Sequence, residues 1–317
     1  MQKYKLDWKM KLIFWFMSRG PGIAKRDLQK TRAQFNSKSL PALTFRRAKL
    51  TSVQDRSIPG RQGAIPVRIY QPVVASDLPV IVYFHGGGFV LGGLNGHDGV
   101  CRRLAVENKA LVVSVDYRLA PEHKFPAAVE DSYDATCWVA DHLAELGTSS
   151  DRLIVAGDSA GGNLAAVVSL MARDLNGPRI SFQILIYPAV ELSENFPSKQ
   201  LYTDTPVLDA ESMIFFRDMY VNQPADCLDP HVSPLLADHL TELPPALVLT
   251  AEYDPLRDEG KAYADRLRQS GNDATYVCYP GMVHGFVSFG WLGSQTKAAF
   301  DQIHQSIQRV SVGAINS

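Results

Sequence analysis

Beyond residue 45, short apolar runs rich in Val, Ile and Leu alternate with longer stretches in which apolar residues recur at helical spacing. Runs that are almost entirely apolar indicate strands buried on both faces of a sheet. The pattern therefore predicts the α/β class, with a mostly parallel central sheet and helices on both faces. The predicted strands are Val67–Tyr70, Val80–Phe84, Leu111–Val115, Leu153–Ala156, Phe182–Tyr187, Ala246–Thr250 and Thr275–Tyr279, and the clearest helices are Ala127–Leu146, Gly162–Leu175 and Gly260–Ser270.

Two regions interrupt this alternation. Residues 1–45 precede the sheet and contain helical, aromatic-rich sequence, and residues 191–240 separate two strands by more than one crossover helix requires. Insertions in an open α/β sheet gather at the carboxyl ends of the strands, where ligands bind. We therefore predict an N-terminal helical cap segment over residues 1–45 and a main domain over residues 46–317, with a cap insertion at about 191–240 that holds a helix from Asp209 to Tyr220.

The first twenty residues combine basic residues with a short apolar run, Leu12–Met17. This run is too short for the apolar core of a secretory signal or for a membrane-spanning helix, and no small-x-small cleavage site follows it. The sequence thus predicts no stable membrane insertion and a cytoplasmic protein. An amphipathic helix is expected instead, because apolar residues recur at helical spacing at Leu6, Met10, Ile13, Phe14 and Met17.

The composition of the 317-residue chain narrows the classes of partner. Its 32 Lys and Arg nearly balance its 33 Asp and Glu. A near-neutral chain without long runs of one charge argues against nucleic acid binding and favours small neutral molecules. Its four cysteines form no CxxC pair and no metal-ligand spacing, so we expect free thiols and no metal site. The oligomeric state, monomer or homodimer, stays open.

The strongest chemical motif is the G-x-S-x-G sequence Gly157–Gly161, which directly follows a predicted strand and precedes a predicted helix. In this context the serine lies on a sharp turn, the nucleophile elbow, where the flanking positions must lack side chains. The dipole of the following helix favours negative charge at the same place. An inert serine in a Gly-rich turn is the alternative, but the strand before Ser159 and the helix after it favour a nucleophile.

A second glycine motif, His85–Gly88, follows the strand Val80–Phe84. Folds with a nucleophile elbow place the backbone N–H donors for a substrate oxyanion in this loop. Glycines let those donors approach an oxygen with no Cβ in the way, and His85 is expected to shape the loop, not to act as a base. A phosphate-binding loop is the alternative, but there is no GxGxxG fingerprint and no Walker lysine. The candidate oxyanion hole consists of Gly86, Gly87, Gly88 and Ala160.

A serine nucleophile needs a base, and the order serine, acid, histidine in this fold restricts the base to histidines after Ser159. His284 is preferred because it lies in a loop just past the last predicted strand. Asp254 follows the preceding strand, where Pro255 fixes a turn that can aim the carboxylate at His284. Glu252 is the local rival for the acid. The other downstream histidines are His231 and His239 in the insertion and His304 in the C-terminal helix.

Several motifs accompany these residues in one order and spacing: HGGGFVLGG from His85, DYRLAPEHKFPAA from Asp116, GDSAGGNLA from Gly157, the run Ala251–Leu256 and YPGMVHGF from Tyr279. Together they resemble the hormone-sensitive-lipase-like esterases (bacterial family IV) over roughly residues 45 to 310. The resemblance implies an α/β-hydrolase fold with a helical cap, and cofactor-free hydrolysis of short-chain carboxylic esters. By motif match it assigns Ser159, Asp254 and His284 to a catalytic triad and Gly87, Gly88 and Ala160 to the oxyanion hole.

The segment Asp116–Ala128 holds no evident nucleophile or base. Arg118 and Glu122 are close enough in sequence to pair across a turn that Pro121 and Pro126 stiffen. We therefore interpret the segment as a brace for the oxyanion loop.

Two other functions compete with ester hydrolysis through an acyl-enzyme. A catalytically silent receptor for a small ligand, built on the same scaffold, would require a broken triad, whereas all three candidate residues are present. An amidase or peptidase would use the same triad on a different bond. The sequence leaves this second alternative open, and a panel of ester and anilide substrates would separate the two activities.

Overall fold

One eight-stranded sheet forms the centre of the computed structural model, which describes residues 5–6, 11, 22–37, 48–193, 196–292 and 294–313. The strands are β1 (Ser52–Gly60), β2 (Gly63–Gln71), β3 (Val80–Phe84), β4 (Leu111–Val115), β5 (Leu153–Asp158), β6 (Phe182–Ile186), β7 (Ala246–Tyr253) and β8 (Ala274–Val283). They lie in the order β1-β2-β4-β3-β5-β6-β7-β8. β2 is antiparallel to both β1 and β4, and every other neighbouring pair is parallel.

Helices precede, connect and follow the strands of the sheet. In the described residues they are α1 (Leu28–Phe35), α2 (Asp98–Asn108), α3 (Ala127–Asp141), α4 (Ala160–Asp174), α5 (Pro197–Leu201), α6 (Ala210–Tyr220), α7 (Arg257–Gln269) and α8 (Ser294–Gly313). Short 3₁₀ segments occur at Ile23–Lys25, Pro224–Leu228, Pro234–Leu236 and Phe286–Leu292. None of the described helices combines the length and the apolar character that crossing a bilayer requires.

The central strands are buried on both faces. In β3, Val80, Val82 and Phe84 belong to one apolar cluster, and Ile81 and Tyr83 belong to another. Because side chains alternate along a strand, an apolar residue at every position indicates cover on both faces. Helices α3, α4 and α7 pack into the first cluster, and α2 and α8 pack into the second. The predicted α/β architecture, a mostly parallel sheet with helices on both faces, is confirmed.

The sequence pattern misses the edge strand β1 and places some boundaries wrongly. At the edge of the sheet only Ile58 of this strand is buried, so no apolar run marks it. Helix α3 ends at Asp141, and Leu146, where the prediction ended it, is buried from within a turn. Helices α2 and α5 are also absent from the predicted elements. The helix predicted from Asp209 is present as α6, where the Asp209 carboxylate accepts the N–H of Ser212.

The predicted amphipathic helix of the first twenty residues falls mostly outside the described part of the chain. Of its apolar positions, Leu6 is described, and it is buried in the second cluster. The described N-terminal segment, residues 22–37, consists of a 3₁₀ turn followed by α1. The Asp27 carboxylate accepts the N–H of Lys30 and so caps α1.

Candidate active site

The turn between β5 and α4 carries Ser159. Its backbone φ of 57° lies in a region that residues with side chains rarely adopt, as expected for a nucleophile elbow. A Cβ atom on Gly157 would collide with the carbonyl oxygen of Gly161, and a Cβ on Gly161 would collide with that of Phe84. The tightness of the turn therefore requires both glycines of the motif, and the turn places Ser159 in the wall of a cavity.

His284 and Asp254 complete a chain of hydrogen bonds that begins at Ser159. The Ser159 Oγ lies 2.8 Å from His284 Nε2, and His284 Nδ1 lies 2.8 Å from an Asp254 carboxylate oxygen. Asp254 is fully buried, and its other oxygen accepts the N–H of Leu256. A carboxylate that accepts the Nδ1 proton leaves Nε2 as the acceptor that faces the hydroxyl. The structure thus brings the three predicted residues together in the geometry of nucleophile, base and orienting acid.

The rival residues have other surroundings. The Glu252 carboxylate accepts the N–H of Gly281 at 2.7 Å, so it braces the segment that leads to His284. Within the described part of the chain, His284 is the histidine that is hydrogen-bonded to Ser159. The other downstream histidines lie beside Asp229 (His231), beside Thr241 (His239) and in α8 (His304).

The loop after β3 and the start of α4 hold the candidate oxyanion donors, with one correction. The N–H of Gly86 donates to a carboxylate oxygen of Asp158 at 2.9 Å, so it is not available to a substrate oxygen. In the described residues the N–H groups of Gly87, Gly88 and Ala160 have no protein acceptor. The three glycines look equivalent in the sequence, and only the fold shows that one of them faces a buried carboxylate.

Asp158 joins the nucleophile turn to the oxyanion loop from inside the fold. Its carboxylate also accepts the Tyr83 hydroxyl at 2.6 Å, and His97 Nε2 lies 3.5 Å away. Burial alone would raise the pKa of Asp158, but the attraction of His97 and the hydrogen bonds that the carboxylate accepts outweigh it. The pKa therefore lies below its usual value. Asp158 is a charged, buried acceptor that fixes the loop relative to Ser159.

His85 lies under the oxyanion loop and is fully buried. Its ring stacks on Tyr117 with centroids 4.3 Å apart, and the Tyr117 hydroxyl donates to the His85 carbonyl oxygen at 2.6 Å. Burial lowers the pKa of His85 to about 3, and the neighbouring His97 acts in the same direction. The imidazole is therefore neutral near pH 7, and its contacts match the predicted shaping role.

The segment between β4 and α3 contacts the surrounding helices through other pairs than predicted. Arg118 pairs with Asp131 at 2.8 Å and with Glu130 at 3.4 Å, both on α3, and not with Glu122. Glu122 pairs with Arg32 of α1 at 2.7 Å. The sequence indicated that Arg118 and Glu122 would pair with each other across the turn, whereas the fold brings a separate helix to each of the two residues.

A cavity of about 650 Å³ opens beside Ser159. Helix α6 of the insertion lies directly over the oxyanion loop, since a Cβ on Gly88 would collide with the ring of Phe216. The insertion therefore covers part of the site, whereas the division of the chain into cap and main domain stays a prediction. Apolar side chains that line the cavity include Leu192, Leu208, Met213, Ile214, Phe216 and Leu256.

The same cavity has a polar side formed by Glu259 of α7 and Lys199 of α5. Glu259 is fully buried, accepts the N–H of Val190 at 2.8 Å and lies 2.6 Å from the Lys199 ammonium. Burial raises the pKa of Glu259 to about 7, against the attraction of Lys199. No pattern in the sequence indicates this pair, because the two residues lie on separate elements and belong to no motif that links them.

In the described residues, no group of three or more His, Cys, Asp or Glu side chains could hold a metal ion. The prediction that the chain works without a metal or cofactor stays a prediction, which the rate after dialysis against EDTA would check. The cysteines are free thiols, as predicted, at Cys101, Cys137, Cys227 and Cys278.

Comparisons with known proteins identify the family of the chain. Residues 81–288 match a family model described as an alpha/beta hydrolase fold. The chain is 46% identical to "Esterase LipI" of Mycobacterium tuberculosis over 75% of each chain. It is 48% identical to "Carboxylesterase NlhH" of the same organism over 71% of this chain and 72% of the relative.

A solved structure extends the similarity to almost the whole chain. The hyperthermophilic esterase from the archaeon Pyrobaculum calidifontis superposes with a TM-score of 0.92 at 47% identity. The match covers 97% of this chain and 99% of that one. The chain therefore belongs to the α/β-hydrolase fold family and, within it, to the hormone-sensitive-lipase-like esterases that its motifs resemble.

Proposed function

We propose that Ser159, His284 and Asp254 hydrolyse the carboxylic ester of a small molecule through an acyl-enzyme. The chain is a serine carboxylester hydrolase, like the relatives named esterase and carboxylesterase. The observation that carries the residue assignment is the hydrogen-bonded chain from Ser159 through His284 to Asp254. Next to it lie backbone N–H groups that have no acceptor in the described residues.

The geometry supports the following sequence of steps. His284 Nε2 takes the hydroxyl proton of Ser159 as Oγ attacks the carbonyl carbon. The negative charge that develops on the carbonyl oxygen is stabilised by the N–H groups of Gly87, Gly88 and Ala160. The intermediate then collapses, His284 gives the proton to the departing alcohol, and the acyl group stays on Ser159. Water repeats the sequence with His284 as base, which releases the carboxylic acid and restores the serine.

The two alternative functions have less support. A silent receptor does not require the three side chains to be aligned, yet each successive pair lies at 2.8 Å. An amidase or peptidase would use the same alignment, so the assay compares p-nitrophenyl esters with the matching p-nitroanilides. We expect hydrolysis of the esters, and Ser159→Ala should lower kcat by a factor on the order of 10⁴ or more. Faster turnover of the anilides would reassign the function.

Short acyl chains are the proposed substrates because the family resemblance implies them and because Phe216 covers part of the cavity of about 650 Å³ beside Ser159. Each buried methylene adds about 0.8 kcal/mol to binding while there is room, and overpacking reverses the gain. Across p-nitrophenyl esters from acetate to palmitate, kcat/KM should peak at about two to six acyl carbons. A maximum at palmitate with interfacial activation would contradict the proposed preference for short acyl chains. It would leave the assignment of the triad residues unchanged.

The cap assignment, the location and the range of partners complete the proposal. We assign residues 1–45 and about 191–240 to a cap over the catalytic domain of residues 46–317, and the position of Phe216 above Gly88 supports the second of these two assignments. Deleting residues 1–20 should change specificity or stability more than it changes the labelling of Ser159. From the sequence we propose a cytoplasmic protein that binds small esters and no nucleic acid, as a monomer or a homodimer, which sedimentation equilibrium would distinguish.

A further inference from the structure

Arg32 of α1 makes four hydrogen bonds to segments beside the oxyanion loop. Its Nε donates to the carbonyl oxygen of Val90 at 2.8 Å, and an Nη donates to that of Ala120 at 2.6 Å. Both Nη atoms also donate to the Glu122 carboxylate at 2.7 Å. Because the guanidinium is planar and binds several acceptors at once, it fixes their direction as well as their distance.

The carbonyl of Val90 belongs to a tight turn that begins at Gly87. The N–H groups of Val90 and Leu91 both donate to the Gly87 carbonyl oxygen, at 3.1 and 2.8 Å. Gly88 lies inside this turn, with a φ of +62°. Arg32 therefore holds one side of the turn, and the other side carries the N–H groups of Gly87 and Gly88.

Further hydrogen bonds strengthen the link between α1 and the same segment. The N–H of Ala120 donates to the carbonyl oxygen of Phe89 at 2.9 Å, so the second backbone acceptor of Arg32 is itself bonded to the turn. Asn36, at the end of α1, accepts the N–H of Asn95 at 2.9 Å and that of Gly96 at 3.3 Å. The helix thus contacts the loop both within the turn and several residues beyond it.

We propose that Arg32 is a positioning residue of the oxyanion hole, because through Val90 it fixes the turn that aims the N–H groups of Gly87 and Gly88. The inference rests on the proposed function, in which those N–H groups receive the oxyanion. Such donors act mainly in the transition state, so a displaced turn lowers kcat more than it raises KM. A displacement of about 1 Å is enough to cost on the order of 100-fold in rate.

The test compares three substitutions at this contact. Arg32→Ala removes all four hydrogen bonds and should lower kcat by about 10- to 100-fold, with KM changed less than about threefold. Arg32→Lys keeps the charge but not the planar fork, so its kcat should lie between that of Arg32→Ala and that of the wild type. Glu122→Gln leaves the bonds to Val90 and Ala120 in place and should retain most of kcat.

A matched control separates positioning from general destabilisation of the N-terminal segment. Lys25 lies in the same N-terminal segment as Arg32, residues 22–37, and forms an exposed ion pair with Glu211 of α6. Lys25→Ala breaks this pair and should keep the wild-type kcat. Each kcat is expressed per active site, counted by stoichiometric labelling with an organophosphonate, so that misfolded protein does not contribute. Wild-type kcat per labelled site in both Arg32 variants would overturn the proposal, and so would an equal loss in Lys25→Ala.

A transition-state analogue gives a readout that a purely structural role would not move. Ser159 Oγ adds to the carbonyl carbon of an aryl trifluoromethyl ketone while His284 Nε2 takes the hydroxyl proton, and the product is a hemiketal oxyanion. Its inhibition constant should rise in Arg32→Ala by the same factor by which kcat/KM falls, and an unchanged constant would overturn the role of Arg32. Absence of esterase activity in the unsubstituted chain would instead contradict the proposed function, so the two failures are distinguishable.

Discussion

Each residue of the hydrogen-bonded chain at Ser159 depends on the next for its orientation. His284 Nε2 faces the hydroxyl because Nδ1 is bonded to Asp254, and Asp254 is held in turn by the N–H of Leu256. Asp158 has a different role, because its carboxylate accepts the N–H of Gly86 and so links the elbow to the oxyanion loop. Conservative substitutions can therefore distinguish residues that orient His284 from residues that support the oxyanion loop.

The acid is identified by comparing Asp254→Asn with Glu252→Gln. Asparagine keeps the shape of Asp254 but stabilises the wrong histidine tautomer and cannot stabilise the imidazolium, so kcat should fall by about 10³- to 10⁴-fold. Glutamine at position 252 still accepts the N–H of Gly281 and should retain kcat within about threefold. Steady-state kinetics on p-nitrophenyl butyrate measures both. The reverse ranking of the two losses would make Glu252 the acid.

Glu259 should give the stability of the protein a distinct dependence on pH. Burial raises its folded-state pKa from 4.5 to about 7, so the stability it contributes is present below pH 4.5 and is lost as the pH rises through 7. Relative to Glu259→Gln, the wild type should lose about 1–3 kcal/mol of unfolding free energy over this window. Urea unfolding at a series of pH values measures the difference, and parallel curves for the two proteins would refute it.

At the scale of elements, helix α6 limits the space above the oxyanion loop. Phe216 lines the cavity and lies where a Cβ on Gly88 would have to go. Phe216→Ala should therefore enlarge the cavity and raise kcat/KM for octanoate esters relative to butyrate esters. Phe215→Ala is the control, because Phe215 is on the same helix, packs against the core and does not line this cavity. The same shift in both variants would contradict a specific role for Phe216.

Elements buried on both faces could be predicted from the sequence, and elements at the margin could not. A five-residue apolar run rich in β-branched and aromatic residues, such as β3, is typical of a central strand, whereas β1 buries only Ile58 and leaves no pattern. Helix α5 has five residues, too few for a recognisable period. The helix α6 was predictable because Asp209 marks its start and apolar residues follow.

For the molecule as a whole, the sequence predicts which residues form the site but not which contacts support them. Ser159, Asp254 and His284 follow strands whose order the fold class dictates, so their meeting could be expected. The partners of Gly86 and Glu122 come from elements distant in the chain, the partner of Arg118 lies on the next helix, and no local pattern indicates any of them. The same holds for Arg32, which joins the N-terminal segment to the loop.

Covalent labelling tests the central claim, that Ser159 is the nucleophile of a carboxylesterase, most directly. A p-nitrophenyl phosphonate should add once per chain, with loss of ester hydrolysis in proportion to the label, because an activated serine hydroxyl displaces p-nitrophenol much faster than unactivated side chains do. Peptide mass mapping should place the adduct on Ser159, and His284→Ala should slow its formation. An adduct on any other residue, or full activity in the labelled protein, would contradict the account.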